Sequence, residues 1–487
     1  MSGVGNRAAI LTLSRIANYG LAIISPIILV RLLTVAQFGR YREFLLYATV
    51  LQTLAVFMIT DSLLYFIAAE PNCRWRVLRQ TALLVACSST LVVAAMALID
   101  RALGGRLAGG FLLPLGGFTL FAANLDFWEY YWVATGRTGL VFVYSGIRLG
   151  ARMAVATGTA AITHDVQAII WALVTLEGIR LSAAAVAWLL MDKSATEPAL
   201  AEPWRAQLRY CIPSGTASVL SMLKDNLGGL VVTKMLGAVS FAQYAIGKSG
   251  SPVIVALRGS ITGVVLPEMV RRGRGSRDAS LALWRCATVV NTIVLFPVVV
   301  LILRYAAPLV TLLFGSSYVG AVIVLKIYMV VVVRECFDFS AAVRALRLTR
   351  PIVESNALSL LTCAVLLALL VPAGGVAGAM AAVALSTLVD AGWLAYRTLG
   401  AYRLTLGELI PWSSIGRTAA AAILAGSILF ALAWRPLLGF GGIALAADTY
   451  LVIFALLLLA LRVPEAQTLL EWLRRLMPLR AATSRRA

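Results

Sequence analysis

Basic side chains recur inside the most apolar stretches of this chain, and their spacing groups them. Arg148 and Arg152 follow Tyr144 at steps of four, which puts all three on one face of a helix. Tyr244, Lys248, Ser251, Arg258 and Thr262 fall on one helical stripe in another apolar run. Lys224 and Arg15 stand in two more. Arg donates two parallel hydrogen bonds to an oxyanion, and Lys offers a compact charge. Near a bilayer centre each such charge costs about 2.5–3.5 kcal/mol even on a lenient scale. A wet cavity that binds an anion offsets that cost. So does snorkelling to the head groups, or pairing with an acid, as Lys224 can with Asp225.

These residues must sit in membrane-spanning helices. The chain has 487 residues, of which 61% are hydrophobic and 13% charged. Apolar runs of about 20 residues follow one another, continuous rather than alternating, so helices rather than strands cross the membrane. Roughly 14 spans are expected by run length. They lie near 10–32, 43–68, 80–99, 111–134, 141–162, 167–191, 208–234, 241–265, 282–303, 319–341, 352–372, 375–396, 414–434 and 442–462. The loops between them are too short for a soluble catalytic or nucleotide-binding domain.

The net charge of +20 follows the topology rather than a nucleic-acid partner. With both termini cytoplasmic, roughly 22 Lys and Arg fall on the inner side and about 8 on the outer. Arg271, Arg272, Arg274 and Arg277 form one such inner cluster. That bias also attracts anionic lipid. The six cysteines lie in spans or on the expected inner side, so no structural disulfide is expected. No spacing suits a metal, and the only histidine, His164, reads as a loop residue.

The chain is duplicated. Arg31-Leu-Leu-Thr-Val-Ala-Gln-Phe-Gly-Arg-Tyr41 recurs as Lys234-Met-Leu-Gly-Ala-Val-Ser-Phe-Ala-Gln-Tyr244, at an offset of 203. Ala134-Thr-Gly-Arg-Thr138 recurs as Ala345-Leu-Arg-Leu-Thr349, at an offset of 211. The expected fold is therefore an all-α polytopic membrane protein with two pseudo-symmetric six-helix lobes. The N-lobe covers 1–198 (helices 1–6) and the C-lobe 199–400 (helices 7–12). Helices 13–14 occupy 401–463, and an amphipathic basic tail, 464–487, lies on the inner leaflet.

The duplication aligns polar stripes. Ser214, Ser218, Ser221, Asp225 and Gly228 form one stripe in helix 7, and the last four overlay Arg15, Asn18, Ala22 and Ser25 in helix 1. Asn18, Ser25, Ser218, Ser221 and Asp225 are thus expected to line a cavity, with small-residue helix packing as the other reading of the serines. In helix 8, Lys248 and Arg258 stand where helix 2 has Leu45 and Ala55. The cationic set is Lys248, Arg148, Lys224, Arg258, Arg152 and Arg15. Acids inside spans can carry a proton as exposure changes; Asp61, Asp126, Glu129 and Asp338 are the ion-coupling candidates, with interhelical ion pairs as the alternative. Arg334 and Asp338, four apart, are expected to pair.

The first copy of the repeat, with its Phe-Gly-x-Tyr ending, resembles the Wzx-type polysaccharide flippases of the multidrug/oligosaccharidyl-lipid/polysaccharide exporter superfamily. Phe314-Gly-Ser-Ser-Tyr318-Val-Gly-Ala321, the turn Leu348-Thr-Arg-Pro351, and Pro372 with Gly374, Gly375, Val376, Gly378 and Ala379 are similar to that family's pattern at the same places. The Leu348 turn departs from the usual Gly-Arg/Lys-Thr form, which Gly136-Arg137-Thr138 keeps. The resemblance implies two lobes around a V-shaped cavity in a bacterial inner membrane, and no enzyme. It implies alternating access that carries the head group of a polyprenyl-pyrophosphate-linked oligosaccharide from the cytoplasmic to the periplasmic leaflet, for an exopolysaccharide or O-antigen-like glycan. It implies no cofactor beyond a coupling proton or sodium ion, a monomeric transport unit among membrane lipid, and a glycan polymerase or export complex as partner. The alternatives are a multidrug or small-cation antiporter of the same superfamily, for which the cavity is too basic, and a membrane glycan polymerase or ligase, for which the outer loops lack paired carboxylates. A non-transporting scaffold gains nothing from buried charge.

Overall fold

The computed structural model describes residues 24–69, 71–105, 110–190, 204–273, 276–346, 348–431 and 440–465. Arg15, Asn18 and nearly all of the expected tail lie outside the described residues. So does the expected lobe boundary between 198 and 199. Among the described residues every regular element is helical. The order is α1 (24–32), α2 (Val35–Val56), α3 (Leu63–Ala69), α4 (Arg74–Ala102), α5 (Leu112–Ala134), α6 (Thr138–Thr163), α7 (Val166–Leu190), α8 (Trp204–Gly247), α9 (Ser251–Gly273), α10 (Arg277–Phe314), α11 (Ala321–Glu335), α12 (Phe339–Ala345), α13 (Arg350–Tyr402), α14 (Leu406–Leu409), α15 (Trp412–Ala431) and α16 (Phe440–Ala460). Among the described residues eight helices are long and apolar enough to cross a bilayer, and the chain is a multi-pass membrane protein.

Glycine turns make two of these helices double. Gly237 (φ 81°) interrupts α8 and Gly375 (φ 53°) interrupts α13, at backbone angles that only glycine adopts readily. Gly237 falls between two of the expected spans, and Gly375 at the first residue of another. Phe241 in the short arm of α8 packs back against Gly229 in the long arm, so the chain reverses there.

Two compact units result, Met1–Pro252 with Asn356–Val383, and Val253–Ser355 with Ala384–Ala487. In the first, α2 lies against α8, and a Cβ on Gly39 would collide with the Ala238 carbonyl. The first turn of one repeat thus packs on the break of the other. Thr34 caps α2 in a capping box with Gln37, and the Gln37 amide donates to the His164 carbonyl at 2.8 Å. His164 is a loop residue as expected, ending α6 in the left-handed region (φ 49°). Phe127, Trp128 and Tyr131 of α5 are buried with Val77 and Leu78 of α4, so these three aromatics are core. In the second unit Trp284 and Tyr450 anchor the core; Trp284 Nε1 donates to the Asp338 carbonyl at 2.8 Å. Such buried donors find backbone acceptors because nothing else in an apolar interior can satisfy them.

Three expected helices are broken. Helix 2 (43–68) ends at Val56; Phe57 and Met58 take positive φ, and a turn over 57–62 follows. Helix 8 (241–265) is interrupted at 248–250, so its cationic stripe is not one continuous face. Helix 10 (319–341) stops at Glu335, and Asp338 caps α12 by accepting from the Ala341 amide at 3.2 Å. The Arg334–Asp338 pairing assumed an unbroken helix; Arg334 instead pairs with Glu335 at 3.0 Å and with Asp390. Beyond the expected span, Arg271 and Arg272 at the end of α9 donate to Glu268 and hold its carboxyl below the usual range.

The Gly39 contact leaves no room for a side chain. Gly39→Val should destabilise the purified protein by about 1–3 kcal/mol through overpacking. Unchanged thermal unfolding in detergent would show that α2 and α8 do not meet so closely.

Candidate functional site

Of the five described members of the cationic set, Arg148, Arg152 and Arg258 meet acids. Arg148 lies 3.1 Å from Glu129 and 3.5 Å from Asp126. Ser145 also donates to Glu129, at 2.9 Å. Glu177, with no exposed side-chain surface, accepts from Arg152 Nε at 2.7 Å and pairs with Arg180. Arg180 also donates to the Tyr144 hydroxyl at 2.7 Å. These contacts tie α5, α6 and α7 together. In the second unit, Arg258 pairs with Glu335, and Thr262 donates to Asp338 at 2.8 Å. Ion pairing, the alternative weighed for each, accounts for Arg148, Asp126, Glu129 and Arg258. Asp338 is held by Thr262, Ser340 and its helix cap. Asp61 sits in the turn after α2, with the Tyr130 hydroxyl beside its carboxylate. Lys224 donates to the Asn356 side chain at 2.9 Å.

Two cavities in the first unit gather what is left. The larger, about 360 Å³, lies along α2 and α8 and carries Arg42, Thr49, Asp225, Asn226, Tyr244 and Lys248 among its lining. Lys248 stands just past the end of α8, where it donates to the Asp225 carbonyl at 2.7 Å. The interruption at 248–250 is what lets this ammonium reach across the cavity wall. Arg42, one position along from Tyr41, makes no hydrogen bond or ion pair among the described residues. It was missed because the helix 2 stripe was read through Tyr41 and Leu45, and because it adjoins a basic stretch at the helix start. The signal was there: Arg42 overlays Ala245, just as Lys248 overlays Leu45, so each repeat supplies one cation that the other lacks. A second cavity, about 230 Å³, shares Arg42 and Leu45 and is lined further by Ser25, Tyr41, Phe118 and Arg152. Asp225 is among the lining of the larger cavity and Ser25 among that of the second; Ser218 and Ser221 are half-buried on α8.

The larger cavity therefore holds two cations and one acid, with hydroxyl and amide groups between them. That set can take an oxyanion, with one charge-assisted bond from each repeat.

Glu177 is the keystone of the neighbouring ion pairs. Glu177→Ala leaves Arg152 and Arg180 without their carboxylate and should cost about 3–5 kcal/mol of stability. A thermal midpoint equal to that of the wild type would show the pairs to be dispensable.

Residues 140–323 match a family model described as "Polysaccharide biosynthesis protein". No curated protein matches the chain. Among solved structures, the lipid II flippase MurJ in an inward closed conformation is similar over 93% of this chain and 99% of its own, with a TM-score of 0.67 and 13% identity. A Vibrio cholerae MATE transporter matches 82% of this chain and 97% of its own, with a TM-score of 0.56 and 11% identity. A Pyrococcus furiosus transporter of the MOP superfamily, noted for the reverse polarity of its binding pocket, matches the same shares at a TM-score of 0.52 and 16% identity. At such identities the likeness speaks for the fold. The chain has the fold of the MOP-superfamily flippases and transporters and carries the polysaccharide-biosynthesis pattern over residues 140–323, which bears out the resemblance expected from its motifs.

Proposed function

We propose that this protein carries a polyprenyl-pyrophosphate-linked oligosaccharide from the cytoplasmic to the periplasmic leaflet of a bacterial inner membrane, for an exopolysaccharide or O-antigen-like glycan. The observation that carries the reading is the pairing of Arg42 and Lys248 in one cavity. A pyrophosphate cannot cross an apolar medium alone; two cations placed by opposite repeats offset its charge while the polyprenyl tail stays in the lipid. The family model favours a glycan over a drug. The named function of MurJ, flipping a lipid, favours a lipid-linked cargo. An exporter of cationic drugs would need a net acidic cavity, whereas here two cations face one acid.

In this reading both termini are cytoplasmic, so the turn before α2 and the Gly237 break lie on the periplasmic side. The packing of Gly39 on Ala238 then closes the outer end, and release requires the two turns to part. Asp61 is the coupling group for a proton or sodium ion, because no ion pair neutralises it among the described residues. A glycan polymerase or export complex would receive the product.

A deletion strain tests the function. Complete lipid-linked units should accumulate on the cytoplasmic face; unpolymerised units on the outer face would point to a polymerase instead. For the site, Arg42→Ala and Lys248→Ala should each lower complementation about 10-fold or more, as expected for a charge-assisted bond of about 1.5–3 kcal/mol. Full export by both well-inserted variants would sink the proposed role.

A further inference from the structure

The second cavity has its own receptor geometry. Arg152 is tethered through its Nε to Glu177, at 2.7 Å. Glu177 is pinned by Arg180, and Arg180 by the Tyr144 hydroxyl. The Arg152 guanidinium carbon lies 5.2 Å from the centre of the buried Phe118 ring. Its two terminal nitrogens make no hydrogen bond among the described residues. The guanidinium is thus held by one edge and by one face, with its outer fork free. Across the same cavity stands Arg42, also without a partner among the described residues, and the Tyr41 hydroxyl adjoins it. Among the described residues that line this cavity there is no carboxylate. Two guanidinium groups on a cavity whose described lining holds no acid match one ligand chemistry, a bidentate oxyanion.

We infer that this cavity is a second oxyanion subsite, in which Arg152 presents a preorganised fork and Arg42 is shared with the first. The inference rests on the flippase reading for its place in the cargo. The oxyanion is either the second phosphate of the diphosphate or the carboxylate of an acidic sugar in the glycan. Arg152 touches the cargo; Glu177 is a positioning residue that fixes the direction of the fork.

The test uses the full chain in lipid nanodiscs, with farnesyl monophosphate, farnesyl diphosphate and glucuronate as probes. Arg152→Lys keeps a charge for Glu177 but has no fork. If the second phosphate occupies the subsite, the wild type binds the diphosphate at least about 10-fold tighter than the monophosphate, and Arg152→Lys erases that preference. If an acidic sugar occupies it, glucuronate raises the thermal midpoint of the wild type and not of Arg152→Lys, while the diphosphate preference is the same in both. Equal behaviour of wild type and variant toward all three probes overturns the subsite. Should Arg152→Lys not fold, Phe118→Leu removes the supporting ring and leaves every charge in place. It should weaken the same response, and an undiminished response would overturn the subsite. Failure of the wild type to bind either farnesyl phosphate would count against the flippase reading, whereas the glucuronate comparison still judges the subsite by itself.

Discussion

A guanidinium in an apolar helix bundle needs a carboxylate or water beside it, and the functional architecture of this protein follows from how that need is met. Arg148 takes Asp126 and Glu129, Arg180 shares Glu177, Arg258 takes Glu335, and Arg334 takes Glu335 and Asp390. These groups are neutralised where they stand and hold helices together. Arg42, Lys248 and the free fork of Arg152 are different. Each opens on a cavity, where water or an anion can meet it. Pairing thus sorts the same residue types into those that build the bundle and those available to a ligand. Removing a paired partner should cost stability, because it leaves a buried charge uncompensated.

The cavities exist because helices break. Non-helical backbone at membrane depth is tolerated where it lines a cavity or is buried in protein. The turn at 248–250 frees the Lys248 ammonium to reach the Asp225 carbonyl, and Gly237 reverses the chain so that the Tyr244 arm folds back onto the long arm of α8. On the facing element, Gly39 lets α2 approach the break itself. The contact between Gly39 and Ala238 joins the two copies of the repeat, so the duplicated motif is also the place where its two copies meet.

Much of this was legible in the residues. Run length and composition implied the helices, and the repeat implied a duplicated fold. The unequal positions Lys248 and Leu45 pointed to the cavity on α8. Arg42 was equally legible, since it overlays Ala245, but a search along one helical stripe passes over its neighbour one residue away. The helix breaks were harder. Phe57, Met58 and Asp61 carry no glycine or proline, so nothing local announces the turn. Ser62 donating to the Ile59 carbonyl and Tyr130 donating to Asp61 stabilise it through contacts that form only in the folded chain.

The sequence by itself determined that this chain lives in a membrane, that two of its stretches repeat, and that its apolar runs carry many charges. Those properties depend on composition, period and repetition, which are local or countable. Only the tertiary structure decided which charges are spent in ion pairs and which face a cavity. Arg148 and Arg152 share one helical face, yet the first is enclosed by two carboxylates while the second is tethered by one edge with its fork free. The acids that make that difference come from α5 and α7, and which acid a given Arg meets is set by helix packing across the bundle rather than by distance along the chain.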